Sequence, residues 1–141
     1  MADLVSVEVI IKIVFAMILG GLVGLEREGR GRPAGLRTNM LVCLGATILV
    51  MVTQHAFIAN VDSAARVIAG IITGIGFLGA GTIINAHNHV HGLTTAASVW
   101  AVAGIGVILG LGYYFVALVG TAAILLVLKM YKVELYLHRN G

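Results

Sequence analysis

The chain is built of long apolar runs without charge, held between tight clusters of charged residues. The clusters fall at the N-terminus, at residues 26–37, near residues 62–66 and from Lys129 onward. Between them lie stretches of about 18 or more residues, each long enough as a helix to cross roughly 30 Å of hydrocarbon. A membrane barrel would instead show ten-residue segments alternating apolar and polar, punctuated by turns. That alternation is absent. The spacing therefore predicts an all-α polytopic membrane protein.

Composition supports the same conclusion. Of 141 residues, 60% are hydrophobic and 11% charged, with a mean hydropathy of +1.04. Soluble domains carry roughly 25% charged residues, and a chain this short has too little interior to hide so much apolar surface. The single cysteine, Cys43, lies inside an apolar run, which excludes an intramolecular disulfide and a cysteine-based metal site. It reads as a small apolar packing residue. The basic pI does not point to nucleic acid, because the arginines and lysines stand at the ends of apolar runs, where they orient a membrane protein and meet anionic lipid. The first run follows Asp3 and Glu8 rather than a basic segment, and a charged stretch succeeds it. It is expected to be a retained helix rather than a cleaved signal.

Five spans are predicted in one transmembrane domain, at approximately residues 7–25, 38–56, 66–84, 94–111 and 113–130. Glu8 and Lys12 stand one helical turn apart and can pair at the membrane edge, with the Lys12 stem snorkelling. Residues 26–37 read as a loop broken by Pro33, Gly29, Gly31 and Gly35, and Thr38 as the cap of the second span. Residues 54–63 form a polar link, residues 85–92 a polar loop, and Tyr113-Tyr114 an interfacial aromatic pair. The first loop has four arginines, and the tail has Lys129, Lys132 and Arg139. Four spans separate these clusters, so five spans place both on one side. By the positive-inside rule that side is cytoplasmic, with the N-terminus outside.

Four features could carry function. Gly70, Gly74, Gly76, Gly79 and Gly81 crowd the third span, and Gly104, Gly106, Gly110 and Gly112 the fourth. Missing side chains let helix backbones approach closely, so packing of these spans on each other or on another subunit is the favoured reading. A thin-walled path or an unwound break is the alternative. Second, Glu26 directly follows a glycine-rich helix end, with Arg27, Arg30, Arg32, Arg37, Thr38 and Asn39 close by. Either a structural network of the Glu26–Arg37 kind or an ion or ligand role would account for them. Third, His87, His89 and His91 alternate and would share one side of an extended loop, a weak candidate for a transition metal but not for magnesium, which prefers oxygen ligands. A solvated loop is favoured. Fourth, Thr94, Thr95 and Ser98 can bond helix ends or neighbouring helices. No base stands at a recognisable spacing from Ser98, and no catalytic role is expected.

Four motifs, Gly24-Leu25-Glu26-Arg27, Ala34-Gly35-Leu36-Arg37-Thr38-Asn39, Gly76-Phe77-Leu78-Gly79-Ala80-Gly81 and Gly92-Leu93-Thr94-Thr95-Ala96-Ala97, resemble those of the MgtC/SapB family of bacterial inner-membrane proteins, in order and over nearly the whole chain. The resemblance implies a five-span membrane domain and a role in growth under magnesium limitation, in acid tolerance and in survival inside phagocytes. It also implies action as a regulator rather than a proven transporter, with the F-type ATP synthase as a proposed partner. The positions that carry over are Glu26, Arg27, Arg37, Thr38, Asn39, Thr94 and Thr95. Many members add a soluble C-terminal domain that this chain is expected to lack, and His91 stands where arginine is frequent. The expected function is therefore regulation of magnesium and acid-stress homeostasis by contact within the bilayer, with itself or with other membrane proteins and without a cofactor. The alternative is an ion transporter or channel formed by a homo-oligomer.

Overall fold

The computed structural model describes residues 2–56, 61–86 and 89–130. Five helices account for nearly all of them: α1 (Ala2–Gly29), α2 (Leu36–Ala56), α3 (Val61–Ala80), α4 (Leu93–Gly110) and α5 (Tyr114–Lys129). The first four are long and apolar enough to cross a membrane, and α5 is an apolar helix of 16 residues. The all-α polytopic membrane fold follows directly. The amphipathic tail after Met130 and the imidazole of His87 lie outside the described residues.

Several boundaries differ from the sequence reading, each for a local reason. α1 does not stop at Leu25 but runs to Gly29, so Glu26 and Arg27 are helical rather than in a loop. Its end is a Schellman motif: Arg32 N–H bonds the Arg27 carbonyl, Gly31 N–H bonds the Glu28 carbonyl, and Gly31 takes the left-handed φ of 62° that this motif needs. Pro33 follows as a stop. α2 begins at Leu36, two residues before Thr38, which is exposed on the first turn and not a cap. The capping acceptor is Glu28, whose Oε2 receives Leu36 N–H at 2.8 Å. α3 begins at Val61, so Asp62 and Ser63 open the helix instead of lying in a link. It ends at Ala80, four residues before Ile84, and its glycine-dense segment stays helical. Part of the expected polar loop is a short antiparallel hairpin, with Ile84–Ala86 (β1) paired to His89–His91 (β2).

α2 and α4 form the centre. Ala16, Leu19, Val23, Cys43, Val102, Ile105 and Leu109 build the main core from α1, α2 and α4, with Ala117 and Leu128 of α5 completing it. A second cluster, Ala46, Val50, Ile71 and Val107, attaches α3. Glycine makes the tight contacts. A Cβ on Gly20 would lie 2.8 Å from Cys43 Cβ and one on Gly24 2.6 Å from Leu36 Cα, so α1 meets α2 along a small-xxx-small stripe. On the other face of α2, a Cβ on Gly106 would collide with the Cys43 carbonyl, and one on Gly110 would lie 2.6 Å from Val50 Cβ. Thr47 Oγ1 fastens the same seam, 2.9 Å from both the Cys43 and the Gly106 carbonyl oxygens.

The glycines of α3 behave differently. Gly70, Gly74 and Gly76 have open space where a side chain would be, Gly79 lies against Ala96 of α4, and Gly81 nears only carbonyls of its own helix end. Of these five glycines, only Gly79 packs against α4.

At the end away from the arginines, Lys12 does not snorkel outward. It pairs with Glu8 at 2.8 Å, as its spacing predicts, but it is only 6% exposed and its Nζ donates to the Gly110 carbonyl at 3.1 Å. The ammonium thus caps the C-terminus of α4, where the helix dipole favours a cation.

Candidate functional site

The opposite end of the bundle gathers the C-terminus of α1, the start of α2, the hairpin, the N-terminus of α4 and the end of α5. Each polar group there has an identifiable placement. Arg27 sits on the α1 face that turns inward, and its side chain is 4% exposed. Its Nη2 donates to Thr95 Oγ1 at 2.7 Å, joining α1 to α4 across 68 residues of sequence. Its Nε is buried with no hydrogen-bond partner. Glu26, one position earlier, forms an ion pair with Arg30 one turn on, and not with Arg37. That pair balances charge without an aligned hydrogen bond, since both Glu26 carboxylate oxygens are buried without one.

Asn39 is fully buried on α2. Its Nδ2 donates to the carbonyls of Ala34 and, at 3.0 Å, of Gly35, which holds the turn between α1 and α2. Ala34 needs that hold, because its φ of 58° is one a residue with a side chain rarely adopts. The Asn39 Oδ1 is buried and unpartnered. Gly35 accepts the close approach of Glu28, whose Oε2 would lie 2.7 Å from a Cβ there.

The start of α4 is set by Gly92. It has φ 89°, and a Cβ there would overlap the Thr82 carbonyl, so only glycine lets the hairpin feed the helix at this angle. Thr95 faces inward and is buried, whereas Thr94 is exposed. Ser98 donates to the Thr95 carbonyl at 2.8 Å.

Between these elements lies a half-open cavity of about 760 Å³. Arg27, Arg30, Arg32, His91, Thr94 and Thr95 contribute to its polar lining along with Thr82, and Leu93, Val127 and Leu128 contribute to an apolar wall.

Of the residues singled out from sequence, Arg27 and Thr95 are brought together by a hydrogen bond, while Asn39 is buried at the α1–α2 turn and Glu26 pairs with Arg30. Arg37 and Thr38 are exposed on the first turn of α2 and are not among the cavity's lining residues. The expected Glu26–Arg37 pairing is replaced by Glu26–Arg30, because the helical register of α1 puts Arg30 one turn from Glu26. His89 and His91 stand on one strand, and among the described residues no three potential metal ligands cluster. Sequence reading missed Glu28 as the cap of α2, Lys12 as the cap of α4 and Thr47 as the α2–α4 clasp. A continuous helix through residue 29 would have exposed the first, and the Gly20–Gly24 spacing was a visible signal for the α1–α2 contact.

The chain is similar to several bacterial proteins. It is 37% identical over 132 residues to the putative magnesium transporter YhiD of Escherichia coli K12, a match covering 89% of this chain and 61% of that protein. It is 47% identical over 116 residues to protein MgtC of Salmonella typhimurium, covering 82% and 49%, and 38% identical over 133 residues to protein SrpB of Synechococcus elongatus, covering 86% and 73%. The chain thus spans about half to three-fifths of the length of the Escherichia and Salmonella relatives. No solved structure matches it. The sequence pattern of the MgtC family matches residues 13–134, nearly the whole helical bundle with the buried Arg27–Thr95 pair inside it, and the chain belongs to that family.

Proposed function

We propose that the chain is an inner-membrane factor of magnesium and acid-stress homeostasis that acts by regulating other membrane proteins through lateral contact, not by catalysis. In this reading the arginine-rich end and the C-terminus face the cytoplasm and the N-terminus faces the periplasm. The magnesium link rests on the relative named as a putative magnesium transporter. The observation that carries the regulatory reading is α3. It is the least buried of the four long helices, with 11% of its span enclosed against 56% for α4. Its Gly70 and Gly74, one turn apart, leave open space on the face that carries Phe77, which is 84% exposed. A second copy or another membrane helix can approach closely there, and small residues favour such contacts in lipid.

A second reading, ion transport by a homo-oligomer, is favoured by one observation: Glu26 and Asn39 hold buried oxygens with no hydrogen bond. Intramembrane polar groups left so are the usual lining of ion paths.

Magnesium flux into proteoliposomes separates the two. The regulatory reading expects no flux from the purified chain, together with loss of growth at low magnesium when Gly74→Leu fills that space. Flux that disappears in Glu26→Gln would overturn it in favour of transport.

A further inference from the structure

The cavity at the arginine-rich end has a chemistry that neither reading uses. Three guanidinium groups line it; of the neighbouring carboxylates, Glu26 pairs with Arg30 and Glu28 caps α2, and neither is among the lining residues. No aspartate or glutamate is among the lining residues, so the field inside is positive.

Two further features aim that field at an anion. The first is Arg27. It is held in place by Thr95, is almost wholly buried, and keeps an Nε–H without a partner. A buried donor of this kind is costly unless something accepts from it. The second is the start of α4. The first intrahelical bond there runs from Ala96 N–H to the Gly92 carbonyl, and no side chain caps Gly92. The amides of Leu93, Thr94 and Thr95 therefore precede the helix's own bonding pattern. These residues line the same cavity, at the positive end of an 18-residue dipole.

Guanidinium forks, threonine hydroxyls and a helix N-terminus together form a receptor for a tetrahedral oxyanion. The remaining wall is apolar: Ile84, Val90, Leu93 and Val127 are all more than half exposed. We propose that this cavity binds a phosphate group, presented by an anionic phospholipid headgroup or as inorganic phosphate. Of the two sources, the apolar wall fits the lipid, whose chains would lie along α5 while the phosphate meets Arg27, Arg32 and the α4 amides. This binding is independent of whether the chain regulates or transports.

The test uses the full chain in nanodiscs. In phosphatidylcholine discs doped with phosphatidylglycerol, native mass spectrometry reads how much phosphatidylglycerol stays on the released protein. In discs of phosphatidylcholine alone, the ³¹P line width of added inorganic phosphate reads the free ion. Arg32→Gln and Thr94→Val alter exposed lining positions, and their thermal melts are read alongside. Arg27→Gln probes the buried donor, and its thermal melt reports whether it still folds. Arg37→Gln removes the same charge at the same end but outside the cavity. The expected result is binding in at least one arm, reduced roughly tenfold by Arg32→Gln and measurably by Thr94→Val, and unchanged in Arg37→Gln. The arm that responds names the source. Binding absent from both arms, or weakened as much by Arg37→Gln as by Arg32→Gln, would overturn the proposal.

Discussion

Arg27 and Thr95 form a side-chain hydrogen bond that ties the end of α1 to the start of α4. A guanidinium buried this far inside can ill spare an acceptor, and hydrogen bonds to charged groups contribute about 1.5–3 kcal/mol. Thr95→Val is therefore expected to destabilise the chain by about that amount, read as an earlier thermal unfolding transition in detergent, whereas Thr95→Ser keeps the oxygen and should melt close to the parent. The identities of these residues were legible beforehand, because charged and amide side chains abutting apolar runs stand out. Their pairings were not. Which arginine meets Glu26 depends on whether residues 26–30 are helical, and the charge cluster there suggested a loop. Lys12 illustrates the same limit: its spacing revealed Glu8, but the Gly110 carbonyl lies 98 residues away and left no local trace.

At the scale of elements, glycine content alone could not separate two kinds of helix surface. α3 and α4 are both glycine-rich, yet Gly106 and Gly110 are pressed against α2 while Gly70, Gly74 and Gly76 face open space. Filling the first kind should force α2 and α4 apart. Gly106→Leu is expected to cost more than the 1–3 kcal/mol typical of an overpacked core, because backbone rather than a movable side chain blocks the space. Gly74→Leu should leave folding intact or improve it, since leucine is about 1 kcal/mol better than glycine in a helix. Size-exclusion profiles of fluorescent fusions would distinguish the two, with Gly106→Leu aggregated and Gly74→Leu monodisperse. The reverse outcome would mean that α3 is the structural helix. Helix count and approximate extents were readable because apolar length is a strong signal. The ends were not, since they rest on cap geometry: the Schellman turn at Gly31, and the matching one at Gly112, where Tyr113 N–H bonds the Ile108 carbonyl.

For the whole molecule, the charge distribution predicted that the first turn, the histidine segment and the end of the last span share one side. The cavity draws on all three, so they do meet at one end of the bundle. Which compartment that end faces is an expectation from arginine content. In a background with Cys43 replaced, single cysteines at Arg32 and at Asp62 should differ: a membrane-impermeant maleimide added to intact cells is expected to label the Asp62 position and spare the Arg32 position until the cells are opened. Labelling in the opposite order would invert the topology.

The contrast between closed and open glycines also sorts the 19 glycines of the chain by what kind of selection can see them. A substitution at Gly20, Gly24, Gly106 or Gly110 meets atoms of the same chain and is judged by folding. One at Gly70, Gly74, Gly76 or Gly104 meets nothing of its own. If variants at those four positions accumulate normally in the membrane yet fail in a growing cell, the failure records the outline of whatever lies alongside, much as a worn step records a foot.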